Sequence, residues 1–108
     1  MIVIVFRARV REGADLEGLS ALGQRMYELA AAMPGFISYK DFSASDGENV
    51  TVVEFASEAE LLSWRNHPEH VAAQERGRTE FLNDYRIQVC RVERAYGFSQ
   101  AEGRVEIG

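Results

Sequence analysis

The sequence is poor in cysteine and proline, and it lacks any long apolar run. Its one cysteine, Cys90, excludes an internal disulfide and suits a reducing compartment. It also excludes the two-cysteine metal patterns. The opening apolar run, "MIVIVF", stops at Arg7 and Arg9, and no small-residue cleavage site follows. It therefore reads as neither a signal peptide nor a membrane span, and a cytoplasmic protein is expected. No block of Lys or Arg offers a membrane patch, and a net charge of -5 argues against a nucleic-acid partner. GxGxxG, P-loop and GxSxG motifs are all missing. No repeat, linker or low-complexity segment breaks up the 108 residues, a length that fits one small domain with a thin core.

What is present is a clear order of elements. "IVIVFRARV" (Ile2 to Val10) alternates as a strand, with Ile2, Ile4, Phe6, Ala8 and Val10 on one face. Asp15 is placed to cap a helix running to about Met33, where Pro34 and Gly35 stop it. Gly18 and Gly23 weaken that helix and suggest close approach to the sheet. Strands at Phe36 to Ala44 and Glu48 to Ala56 flank a hairpin turn at Asp46-Gly47. Ser57 and Glu60 form a capping box for a short helix that breaks at Pro68. A further helix is predicted from Pro68 to about Leu82, then a last strand from Tyr85 to Tyr96. Cys90, inside that strand, reads as a buried structural thiol.

The order βαββαβ, with the second helix broken, predicts an α+β ferredoxin-like sheet with helices on one face. The domain is expected over residues 1–96, with a tail at 97–108 that is either an exchanged arm or disordered. Val3 and Val5 put apolar residues on the second sheet face, with either Val50 and Val52 or Val53 and Phe55 beside them. Helices cover only one face, so a second copy of the chain is the expected cover for the other.

The stretch "SWRNHPEHVAAQERGR" holds the only Trp and both His residues. At about 100° per residue, His70, Gln74 and Arg78 fall in one row along the helix, inside its apolar stripe. Buried polar groups need partners, so this row either bonds to its neighbours or lines a cavity. Ala73 and Gly77 are small and leave room for the second option. Trp64 alone fits a core position, and Tyr39 and Tyr85 fit the core edge. His67, beside Pro68, fits a helix end where it meets the last carbonyls. Arg78 has Glu75 and Asp84 nearby as salt-bridge partners. His67 and His70 lack a third ligand, because Glu69 points away, so no metal site is expected.

"MPGFISYK", "ENVTVVEFASEAELLSWRNHPEHVAAQERGR" and "YRIQVCRVER" together resemble the antibiotic biosynthesis monooxygenase family of dimeric α+β barrel proteins. The likeness runs from Met1 to about Tyr96. It implies a homodimer that joins two sheets face to face, with a pocket in each subunit between helices and sheet. The family includes quinone-forming oxygenases that use no metal, flavin or haem. It also includes haem-degrading members, whose pattern has an Asn on the first strand and a haem-ligating His ten residues after the Trp. Here those positions hold Phe6 and Gln74, which disfavours haem degradation.

Residues and resemblance together lead to one expectation: a monooxygenase without cofactor that oxidises an aromatic or polyphenolic small molecule with O2. In it His70 is the general base, because imidazole titrates near working pH. Arg78 and Gln74 stabilise the developing negative charge. Trp64 and Tyr85 stack on the ring, and Asn66 and His67 are further substrate contacts. The alternative is a non-catalytic ligand-binding or accessory dimer with the same pocket.

Overall fold

The computed structural model describes residues 1–107. It is an α+β ferredoxin-like fold: one four-stranded antiparallel sheet in the order β2-β3-β1-β4, with helices on a single face. The strands are β1 (Ile2–Val10), β2 (Phe36–Ser43), β3 (Asn49–Phe55) and β4 (Leu82–Arg91), and the helices are α1 (Leu16–Ala31), α2 (Glu58–Arg65) and α3 (Pro68–Arg76). A π-helical turn, Gly77–Phe81, joins α3 to β4. β5 (Tyr96–Ser99) and β6 (Gly103–Glu106) form a separate hairpin.

Local chemistry sets most boundaries. The Asp15 side chain accepts from the Gly18 N–H and starts α1. Gly35 adopts φ +78, which a side chain would resist, and a Cβ there would overlap the Glu60 carboxylate. Only half of the capping box forms. Ser57 accepts from the Glu60 N–H at 3.4 Å, but the Glu60 carboxylate packs under Gly35 and its Oε2 is buried without a partner. Pro68 opens α3 as its first residue, a position where its missing N–H is not needed.

The pairing register decides which residues face the helices. Ile2 opposes Phe55 and Ile4 opposes Val53, so Val53 and Phe55 turn inward and are fully buried. Val50 and Val52 are therefore the pair that joins Val3 and Val5 on the outward face. Cys90 opposes Val3 there and is exposed, so the expected buried thiol is not found in the single chain. The last sheet strand also differs from expectation. It begins at Leu82, because α-helical winding ends at Arg76 and the π turn delivers the chain to the sheet early. It ends at Arg91, and Tyr96 belongs instead to the hairpin.

The segment with weak sequence signals is thus a β5–β6 hairpin, with Gly108 outside the described residues. The hairpin carries exposed Tyr96 and Phe98 and stands off the rest of the chain. The radius of gyration is 15.3 Å, against about 13 Å for a compact domain of 100 residues.

Candidate active site

The helix–sheet layer is packed at one end and hollow at the other. Where β1 begins, Ile2, Ile4, Phe55, Met26, Leu29, Leu61 and Trp64 form the core. Toward the end of β1, the layer opens into a cavity of about 810 Å³. Its walls include small residues where core side chains would otherwise stand: Ala8, Ser20, Gly23, Ala73 and Gly77. A Cβ built on Gly23 would meet nothing within 4 Å. Gly23 therefore marks empty space rather than the close approach expected from the sequence.

Trp64, in the last turn of α2, is buried between core and cavity with only 6% exposed. Its ring lies 5.7 Å from Phe55 and edge-on to Tyr39 at 6.5 Å. His70, in the first turns of α3, packs on it at 4.2 Å. Trp64 Nε1 and His70 Nδ1 are both buried without a hydrogen-bond partner. Burial lowers the His70 pKa from the ordinary 6.5; the Arg65 carbonyl opposes this, and the charges of Arg65 and His67 add to it. The imidazole is thus biased toward its neutral form, the form that accepts a proton. Tyr39 is pushed up to about 12, mainly by burial and then by the Asp41 charge, so its hydroxyl stays protonated.

Gln74 lies one helical turn beyond His70 and lines the cavity with it. Arg78 does not join them in the lining. The expected row assumed α-helical winding to Leu82, but the i→i+5 turn from Gly77 changes the phase before the row is complete. Arg78 lies instead at the rim, where it donates to the Tyr85 hydroxyl and to Glu75 Oε2, both at 3.1 Å. Tyr85 does line the cavity, with its ring 5.5 Å from that of Phe6.

Asn66 and His67 lie outside the cavity lining. Asn66 ends α2, its N–H donating to the Leu62 carbonyl at 2.9 Å. His67 caps the following helix, not the preceding one: its Nδ1 accepts from the Glu69 N–H at 3.1 Å. With Pro68 as the first residue of α3, the residue before it is an N-cap by position, and it meets donors rather than carbonyls. Among the described residues no three His, Cys, Asp or Glu side chains converge as a metal site would require.

Several lining residues were not singled out from the sequence: Asp41, Ser43, Asn49 and Thr51 on β2 and β3, and Ser20 and Gln24 on α1. Their signal is an alternation of the wrong sign. The inward positions of these strands change from apolar to polar along their length, which is visible only once the register is known.

Comparison with known proteins agrees along most of the chain. Solved structures share the fold: the Mycobacterium tuberculosis protein Rv0793 superposes with a TM-score of 0.74 at 22% identity, covering 84% of this chain and 93% of that one. SnoaB, a cofactor-independent oxygenase from Streptomyces nogalater, superposes with a TM-score of 0.72 at 12% identity, covering 87% of this chain and 94% of that one. The uncharacterized protein YqjZ of Bacillus subtilis (strain 168) is 35% identical over 83 residues, 77% of this chain and 73% of the relative. The pattern of one family matches residues 1–76, strand β1 through helix α3 and so the Trp64–His70–Gln74 wall of the cavity. On that match the chain belongs to the antibiotic biosynthesis monooxygenase family.

Proposed function

We propose that the protein is a monooxygenase that needs no metal, flavin or haem and oxidises an aromatic or polyphenolic small molecule with O2. The observation that carries this reading is His70: a half-buried imidazole, biased toward neutrality, against Trp64 at the floor of an 810 Å³ cavity. An anthrone held on Trp64 loses a ring-methylene proton to His70, its carbanion combines with O2 to form a hydroperoxide at that carbon, and loss of water leaves a quinone carbonyl, so the substrate supplies both electrons and one oxygen atom enters the product. Gln74 donates to the developing oxyanion from one turn away, and Tyr85 packs on the ring from β4. Arg78 acts through Tyr85, whose hydroxyl it holds. The family membership and the likeness to the fold of a cofactor-independent oxygenase support the same reading. Oxygen-electrode assays with a panel of hydroquinones and anthrones test it; no uptake above the uncatalysed rate with any of them would reject it.

A homodimer belongs to this proposal. Val3, Val5, Val50, Val52 and Phe42 make an apolar outward face, and a second copy of the same face is its natural cover. The Tyr96 and Phe98 side chains of the hairpin extend that contact as an exchanged arm. Light scattering at micromolar concentration should give twice the chain mass, and a monomer would end the claim. A cytoplasmic location is part of the same proposal; among the described residues no helix is long and apolar enough to cross a membrane.

A second reading, a non-catalytic ligand-binding dimer, has one observation in its favour. Arg78, the cation expected to face the substrate anion, is held outside the cavity lining and paired with Glu75. Tight ligand binding without oxygen uptake would select this reading.

A further inference from the structure

The side of a sheet that faces its helices is normally apolar. In the hollow half of this layer β2 and β3 break that rule: Asp41, Ser43, Asn49 and Thr51 all lie on the inward face and line the cavity. They are joined in two pairs across the strands. Thr51 Oγ1 donates to Asp41 Oδ1 at 2.6 Å, and Ser43 Oγ donates to Asn49 Oδ1 at 3.1 Å. The second carboxylate oxygen of Asp41 and the amide N–H groups of Asn49 remain available. Among the described residues no Arg or Lys forms an ion pair with Asp41. At the other edge of the same sheet face, Tyr85, Ile87 and Val89 on β4 offer only one hydroxyl. The sheet side of the cavity is therefore hydrogen-bonding and anionic at its β2–β3 edge and apolar at its β4 edge, and the cation in the lining, Arg65, stands on α2.

We propose that Asp41, Ser43, Asn49 and Thr51 form a subsite for an uncharged, hydroxyl-bearing end of the aromatic ligand, and that Asp41 excludes carboxylated ligands from it. This rests on the reading of the cavity as an aromatic-binding site. A ligand hydroxyl donates to the free Asp41 oxygen and accepts from the Asn49 amide, so both of its hydrogen-bonding roles are met. A ligand carboxylate can only accept, and it would stand beside a like charge. Burial chiefly, and then the Asp41 charge, keep the Tyr39 hydroxyl protonated. The Asp41 charge acts in the same direction on a phenol bound beside it. Deprotonation is thereby directed to the other end of the ligand, at His70.

Two symmetric probes remove any ambiguity of binding direction: 2,6-dihydroxynaphthalene and naphthalene-2,6-dicarboxylate. Binding is read anaerobically from the fluorescence of Trp64, the only tryptophan, and checked by equilibrium dialysis. The wild type should bind the diol at least tenfold more tightly than the dicarboxylate. Asp41→Asn, which keeps the acceptor for Thr51, should bring the two within threefold. Thr51→Val should weaken the diol alone. An unchanged preference in Asp41→Asn, or no binding of the diol to the wild type, overturns the proposal. A lost preference in a protein that never consumes oxygen upholds the subsite and rejects only the monooxygenase reading.

Discussion

At the end of the layer where β1 begins, large side chains meet. Phe55 lies between Phe36 and Trp64, and Ile2, Ile4, Met26 and Leu29 close the gaps around them. At the opposite end the same strands and helices carry Ala8, Gly23, Ala73 and Gly77, with polar residues on β2 and β3. The same sheet and helices run through both halves, and the difference lies chiefly in side-chain volume. Interiors normally fill to crystal-like density. A layer that is filled at one end and hollow at the other divides stability and binding between its two ends.

The sharpest way to break that comparison is at their boundary. His70→Ala should lower the rate of oxygen consumption 10²–10⁴-fold, the usual worth of a positioned general base, and leave the far-ultraviolet circular dichroism unchanged. The pH profile should sharpen the assignment. His70 is depressed below the ordinary 6.5, so the neutral base should persist below that pH and the acid limb should fall there. The stability linkage has the same sign. The contribution of the buried neutral ring is complete above 6.5 and is lost as pH falls through the folded value, and His70→Ala should remove that part of the acid destabilisation.

Within the filled end, Phe55→Ala should cost about 3–5 kcal/mol in urea denaturation. On the cavity wall Ile87, already 43% exposed, should cost about 1 kcal/mol or less when cut to Ala. Equal losses at the two positions would show that the hollow end is closed in solution. The smallest effect has the opposite sign. Gly23→Ala has open space before it and a helix to favour it, so it should stabilise the fold by up to ~1 kcal/mol while narrowing the cavity.

Most of the fold was legible because its signals are local: alternation in β1, the Asp15 cap, the Pro34-Gly35 stop, and the break at Pro68. Trp64, His70 and Gln74 were legible as cavity wall because they lie on two short helices whose periodicity holds. Arg78 was not, because a single π turn changes the helical phase and leaves no mark in composition. His67 was assigned to the wrong helix end for a related reason. Which side of a helix break a residue serves depends on where the next N–H groups point. Asp41, Ser43, Asn49 and Thr51 stayed hidden because each strand alone reads as an ordinary half-exposed strand. Only the pairing of β2 with β3 and β1 shows that these polar residues face inward.

The π turn also isolates one residue from the count. Helices count in steps of 3.6 residues and strands in steps of two, and Gly77–Phe81 is where one count passes to the other. With one residue fewer, the turn would close as an ordinary α turn and absorb the deletion before β4 begins. Tyr85, Ile87 and Val89 would keep their places opposite Ala8, Phe6 and Ile4, because the pairing with β1 holds the register. A single-codon deletion between Gly77 and Phe81 would therefore change where Arg78 stands relative to His70 and Gln74 while leaving the sheet side of the cavity as it is.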